Sequence, residues 1–306
     1  MDLFFIGNVE LPMQALRIAV ALAGTIIGAY FDLFNKKNVP EAFLYAFIAV
    51  AFLINLVAYG ANATMYGIGA GAIVFAAFYL LYKFGQIGGA DVFIMASIAL
   101  LLPAQPTLLL ISQQPSLLSL PFMLNLILAS GISFMAYMLL RSFPVAIKAL
   151  GTKGKIGKNE LSRAFLIVFA FAVFSYFAIS NPLIPSNYYI FITAIVLLSL
   201  YFTIFRSALN DSMVEYVSSN KVEVEDIIPT DRMDKKLAQK LGFSSSGFSI
   251  SGGYNKLVDA QTLAKIKKLK SKVPVYSHLP PFVPHILIGL IATLLFGNIL
   301  LVLGGF

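Results

Sequence analysis

The chain has 306 residues, of which 59 % are apolar and only 12 % charged, and its mean hydropathy is +0.85. Soluble domains carry about a quarter charged residues, so this composition excludes an ordinary soluble enzyme and predicts an integral membrane protein. A net charge of +8 would suit nucleic acid, but the basic residues lie in loops between apolar stretches, where they act as membrane orientation signals. Nucleic acid is therefore not an expected partner; membrane lipid is. The absence of cysteine excludes disulfides, Cys-ligated zinc, iron–sulfur clusters and a thiol nucleophile. Two histidines, His278 and His285, are too few for a histidine-built metal centre.

In chain order, "MDLFFIGNVE" lacks the basic region of a cleavable signal peptide. Eight apolar stretches follow, at roughly 12–33, 42–59, 66–82, 91–111, 118–140, 164–181, 187–206 and 282–303. Each is near the ~17–25 residues that a membrane-crossing helix needs, although Pro103 and Pro106 interrupt the fourth. The predicted fold class is an all-α polytopic membrane protein with about eight transmembrane helices and a small α+β cytoplasmic module. Three parts are expected: a membrane core of about seven helices over 1–206, the module over 207–281, and a closing transmembrane helix over 282–306.

With the N-terminus outside, every lysine and arginine except Arg17 falls in an inward segment or at an inner helix end. The outward loops 60–65, 104–117 and 182–186 and the C-terminus carry none. That bias predicts a multi-pass cell-membrane protein with both termini outside. Arg17, within the first stretch, is expected to snorkel or to pair inside the bundle.

On this topology two carboxylates share one depth. From Pro12 to Asp32 the first helix would rise about 30 Å, so Asp32 leaves the bilayer at the inner face, where Asp91 enters it. Taken singly, Asp32 reads as a helix end and Asp91 as a helix cap. Together, at matching depth, they read as a site. Gly24, Gly28 and Asp32 recur every four residues, and small residues on one face admit a neighbouring helix. Two carboxylates meeting across helices suit aspartyl hydrolysis, one as general base on water and the other as acid toward a carbonyl. Helix polarity suggests Asp91 as base and Asp32 as acid.

These residues resemble a known family. "YKFGQI" followed by Gly88-Gly89-Ala90-Asp91 resembles the second motif of the GxGD aspartyl proteases, in particular archaeal preflagellin and type IV prepilin peptidases. "YFDLFNKKNVP", 30–40, resembles the first motif, an aspartate at the inner end of helix one followed by a short basic loop. The departure is at the motif's second glycine, where Ala90 stands. The resemblance covers about residues 10–140, with weaker likenesses at "VEVEDIIPTDRM" and "PPFVPHILIGLIATLLFGNILL". It implies a membrane aspartic endopeptidase that removes the basic leader of archaellin or pilin precursors at the cytoplasmic face. Asp32 and Asp91 would be the catalytic pair, supported by Gly28, Gly88, Gly89 and Ala90. Without cysteine, neither a zinc region nor N-methyltransferase activity is expected, and no cofactor is implied.

Two other readings use the same aspartates. A presenilin-like protease would carry them on adjacent spans with a Pro-Ala-Leu motif at the last helix; here they fall on spans one and four, and "PPFVP" is not that motif. An ion-coupled transporter would place them near the midplane within repeated halves, and no repeat is evident. Of the remainder, "KALGTKGKIGKNE" is a basic loop without P-loop spacing. "FSSSGFSISGGY" reads as a loop, "DRMDKKLAQKLG" as a short helix, and "DAQTLAKIKKLKSK" as an amphipathic helix with a lysine face. His285 is expected at the membrane interface.

Overall fold

The computed structural model describes residues 12–35, 39–58, 61–84, 86–106, 120–151, 157–179, 187–224, 226–234, 237–238, 241, 255–269, 271–277 and 280–298. The first eleven residues, Lys36 and Lys37, His278, the stretch "FSSSGFSISGGY" and parts of "KALGTKGKIGKNE" and "DRMDKKLAQKLG" lie outside them apart from their edges.

Each of the eight apolar stretches contains a helix: α1 (Gln14–Phe34), α2 (Glu41–Ala58), α3 (Ala61–Lys83), α4 (Gly89–Leu101), α5 (Phe122–Leu150), α6 (Lys158–Ile179), α7 (Asn187–Ile204) and, near the end, α10 (Val283–Phe296). The chain is a mostly helical membrane protein. Among the described residues four helices are long and apolar enough to cross a bilayer, or five if α7 and the short α8 (Arg206–Met213), bent 64° from it, count as one span. Three apolar helices are shorter, at Glu41–Val57, Gly89–Leu101 and Val283–Phe296. At 1.5 Å per residue the last two are about 20 Å long, short of the ~30 Å hydrocarbon layer.

By compactness the chain divides within α5: one unit takes Met1–Met135 and Glu215–Ile299, the other Ala136–Val214 and Leu300–Phe306. In the first unit, α4 lies at the centre of the packing, buried from Val92 to Leu102 apart from Phe93. It packs against α2, α3 and α1, while α1 packs along α10. Val92, Ile94, Met95, Ile98, Leu101, Leu126, Ile286 and Leu290 form the middle of this core.

The C-terminal end of α4 explains Arg17. The helix stops at Leu101, ahead of Pro103, and its last carbonyls have no intrahelical partners. In an apolar interior such groups must be satisfied by protein. Arg17 Nη1 donates to Leu101 O at 3.0 Å and to Asn55 Oδ1 at 3.1 Å, and Asn55 Nδ2 donates to Leu100 O at 2.6 Å. Both side chains are fully buried. Arg17 therefore pairs inside the bundle and ends a broken helix; it does not snorkel.

The second unit is looser. α6 packs against α7, and Ser142 on α5 meets the Tyr201 hydroxyl of α7 at 2.8 Å. Most of the α6 surface is exposed apolar side chain, including Phe165, Leu166, Phe169, Tyr176 and Phe177.

The hydrophilic segment holds β1 (Val214–Ser218), β2 (Ile227–Pro229), β3 (Asn255–Leu257), α9 (Ala260–Ile266) and β4 (Lys272–Tyr276). β1 pairs with β4, and β2 pairs antiparallel with β3 in the register Ile227↔Leu257. Val222, Ile228, Val258, Ile266, Val273 and Val275 fill a small core of their own. The α+β character holds, but two local readings change. Strand structure in "VEVEDIIPT" is confined to 227–229, because a turn closed by the Asp226 side chain on the Glu223 N–H occupies the start. The amphipathic helix stops at Ile266, capped at its start by Asp259 on the Thr262 N–H; the chain turns at Lys267 and Lys268, and β4 begins at Lys272, the end of the predicted helix, with Val273 and Val275 in the core.

Candidate active site

The site begins with the face of α1 that carries small residues. Gly24, Gly28 and Asp32 are all buried, while Ile26, Ile27, Tyr30, Leu33 and Phe34 on the other faces are exposed. Gly28 is the critical contact. A Cβ there would lie 2.7 Å from Ile94 Cδ1 of α4 and 3.4 Å from Val283 Cγ1 of α10. Three helices thus meet one turn below Asp32, with the tip of Ile94 in the space that a side chain at position 28 would take.

Asp32 itself is 7 % exposed. Its Oδ2 accepts a hydrogen bond from the backbone N–H of Val283, at 3.0 Å, across 251 residues of chain. The carboxylate therefore faces the first turn of α10.

Asp91 occupies the third position of α4 rather than the cap. The N-cap is Gly88, in extended conformation, and Asp91 Oδ2 reaches back to accept the Gly88 N–H at 2.9 Å. This is the return half of a capping box. Asp91 is 5 % exposed. Around it, Gly88 and Gly89 are not sterically demanded in this conformation: an added Cβ would meet nothing closer than 3.4 Å at Gly88 and 3.5 Å at Gly89. Ala90 is accommodated beside them, packed on the membrane core.

The two aspartates come from α1 and α4, which pack directly. Each ties one oxygen to a backbone N–H at a helix start. Helix polarity alone therefore no longer separates a base from an acid, because Asp32 also faces a helix N-terminus, that of α10. Three other acidic groups at or near helix ends, Glu41, Asp211 and Glu215, are exposed. Among the described residues no group of three His, Asp or Glu side chains is arranged to hold a metal ion.

Sequence reasoning missed the part of α10. A backbone donor has no residue signature, and the one available signal was "PPFVP", a proline-marked helix start. His285, near the start of α10, is buried to 7 % exposure, with Nδ1 2.9 Å from the Ser133 hydroxyl of α5.

Residues 19–147 match the family model described as the type IV leader peptidase family. The match includes both aspartates, Gly28 and the Gly88-Gly89-Ala90 stretch, and it ends well before Val283. No curated protein and no solved structure matches the chain.

Proposed function

Through residues 19–147 the chain belongs to the type IV leader peptidase family, and from that premise we propose that it is an aspartic endopeptidase with Asp32 and Asp91 as its catalytic pair. The observation that carries this reading is the burial of two carboxylates on helices that pack directly, each accepting a backbone N–H. In the reaction one carboxylate takes a proton from water as the water oxygen bonds to the scissile carbonyl carbon. The other carboxyl gives its proton to the carbonyl oxygen. Collapse of the tetrahedral intermediate breaks the C–N bond: the proton first taken from water goes to the leaving amine, and a hydroxyl proton of the intermediate returns to the carboxylate that had given its own, leaving a carboxylic acid and the restored pair. In such a mechanism the two ionisations belong to the pair.

The proposed substrates are prepilin-type precursors, including preflagellins, cut between a short basic leader and the apolar segment. The proposed setting is an eight-span chain with outward termini and the aspartates toward the cytoplasm, which the distribution of lysine and arginine supports. The archaeal, GxGD-type branch fits the Gly88-Gly89-Ala90-Asp91 sequence and the lack of cysteine.

The test mixes purified protein with a prepilin-like peptide in detergent or nanodiscs and maps the products. A single cut after the basic leader is expected, with Asp32→Asn and Asp91→Asn each lowering the rate by about 10²–10⁴-fold. Cleavage that survives either change would remove the aspartyl assignment; ion flux without cleavage would replace it with transport.

A further inference from the structure

We propose that the first turn of α10, outside the family-matched stretch, is a positioning clamp for Asp32 and that the His285–Ser133 contact sets it. This rests on the aspartyl reading of the site.

Three observations converge. The first concerns the donors. A helix start exposes backbone N–H groups that need acceptors. In α10, Pro284 has none to give, and His285 N donates to Phe282 O at 2.9 Å. Val283 is left as the N–H of that turn directed at Asp32. Asp32 thus caps α10 from another helix, and its rotamer is tied to where α10 begins.

The second concerns what fixes that beginning. His285 Nδ1 lies 2.9 Å from Ser133 Oγ on α5. One turn further, Gly289 passes so close to α5 that a Cβ would stand 2.7 Å from the backbone N of Ser130. The pairs 285–133 and 289–130 run in opposite chain directions, so the helices are locked antiparallel at two adjacent levels. A slip of α10 by one residue is about 1.5 Å, enough to break the His285–Ser133 contact and the 3.0 Å bond to Asp32 together. Phe134 packs edge-on against His285 and Phe282, which holds the ring in place.

The third concerns depth. Val283 Cγ1 also faces the Gly28 gap that admits Ile94. The turn that holds Asp32 is therefore in contact with the helix approach that brings Asp91 in. His285 and Ser133 are positioning residues in this account; they do not touch the reacting atoms.

The experiment measures peptide cleavage and, separately, hydrogen exchange of the Val283 amide in the full-length protein. Asp32→Leu, which removes the acceptor, supplies the exchange rate of an unclamped turn. His285→Leu is expected to raise Val283 exchange toward that rate and to lower kcat about ten- to a hundredfold with KM unchanged, as misplacement of a reacting group does. His285→Asn, which can put a polar nitrogen or oxygen where Nδ1 stands, should restore both. Ser133→Ala removes only a hydroxyl and serves if His285→Leu fails to fold; it should shift both readouts the same way. Exchange at the wild-type rate in His285→Leu and Ser133→Ala would overturn the proposal, and so would faster exchange with unchanged kcat. A wild-type protein that cuts no substrate would remove the peptidase reading, while the exchange data would still decide whether the clamp exists.

Discussion

Helices α1 and α6 are equally apolar in mean hydropathy, yet 44 % of the most apolar stretch of α1 is buried within the protein against 6 % for α6. What separates them is where each keeps its polar and small residues. The inward face of α1 reads Arg17, Ala21, Gly24, Thr25, Gly28 and Asp32, every one of them buried. Beyond its polar first turns the surface of α6 is mainly Phe, Leu, Val and Tyr, with one buried residue among those described, Ala164. Lipid is as apolar as leucine, so large side chains gain little by leaving it, whereas small residues allow close packing and polar groups require protein partners. In this protein the polar residues of a span, more than its hydropathy, tell which helix is a wall of the site.

The sharpest way to break that comparison is to treat the two arginines alike. Arg17→Met would strand the Leu101 carbonyl and the Asn55 amide oxygen in an apolar interior, at about 1–3 kcal/mol for each unpaired group. Arg163→Met, on the exposed surface of α6, should stay within about 0.5 kcal/mol. Thermal unfolding in a fixed detergent reads both, and equal shifts would mean that burial of α1 is not what matters. A smaller effect is expected from bulk. Gly28→Leu drives a side chain into Ile94 and Val283 and should cost about 1–3 kcal/mol while separating the helices that carry the aspartates. Ala172→Leu on exposed α6 should cost almost nothing. Retention of full cleavage by Gly28→Leu would show that the three-helix meeting point is not needed for activity.

The smallest effect belongs to the aqueous module, where a carboxylate has water at hand. Burial pushes the Asp226 carboxyl above its usual range, the Glu223 N–H at 2.8 Å offsets this in part, and the Glu223 charge adds to it. With the folded value above the unfolded one, the folded state binds more protons between the two. Stability from this group is therefore greatest below about pH 4 and declines as pH rises through the folded value. Asp226→Asn, which keeps an acceptor for Glu223, should protect the Val258 amide slightly better than wild type at neutral pH. The difference should vanish in acid. A stabilisation that persists below pH 4 would assign the effect to something other than ionisation.

Much of the membrane architecture was readable in advance because hydropathy reports directly on length and apolarity: each of the eight apolar stretches contains a helix. The two aspartates and Gly28 could also be singled out, since a carboxylate in an apolar run and a four-residue repeat of small residues are local patterns. The readings that changed involve partners distant in sequence. For Arg17 two expectations stood, snorkelling or pairing inside the bundle, and the carbonyls at the end of α4 decided for pairing. Asp91 was expected at the cap, but the chain turns at Gly88 and the carboxylate reaches back from the third position. The helix expected over "DAQTLAKIKKLKSK" ends at Ile266 and turns at Lys267, because the strand that follows from Lys272 places Val273 and Val275 in a core that helical spacing did not reveal.

By itself, the sequence determined that this chain is a membrane protein, which runs of it form apolar helices, and which acidic residues stand out at their ends. These follow from the composition of contiguous residues, and contiguous residues share an environment. Only the tertiary structure decided that α1, α4 and α10 meet at Gly28, that Asp32 is held by the N–H of Val283, and that His285 leans on Ser133. Those facts depend on backbone groups and close approaches between segments as much as 251 residues apart, and a backbone N–H is the same in every residue but proline until folding gives it a direction.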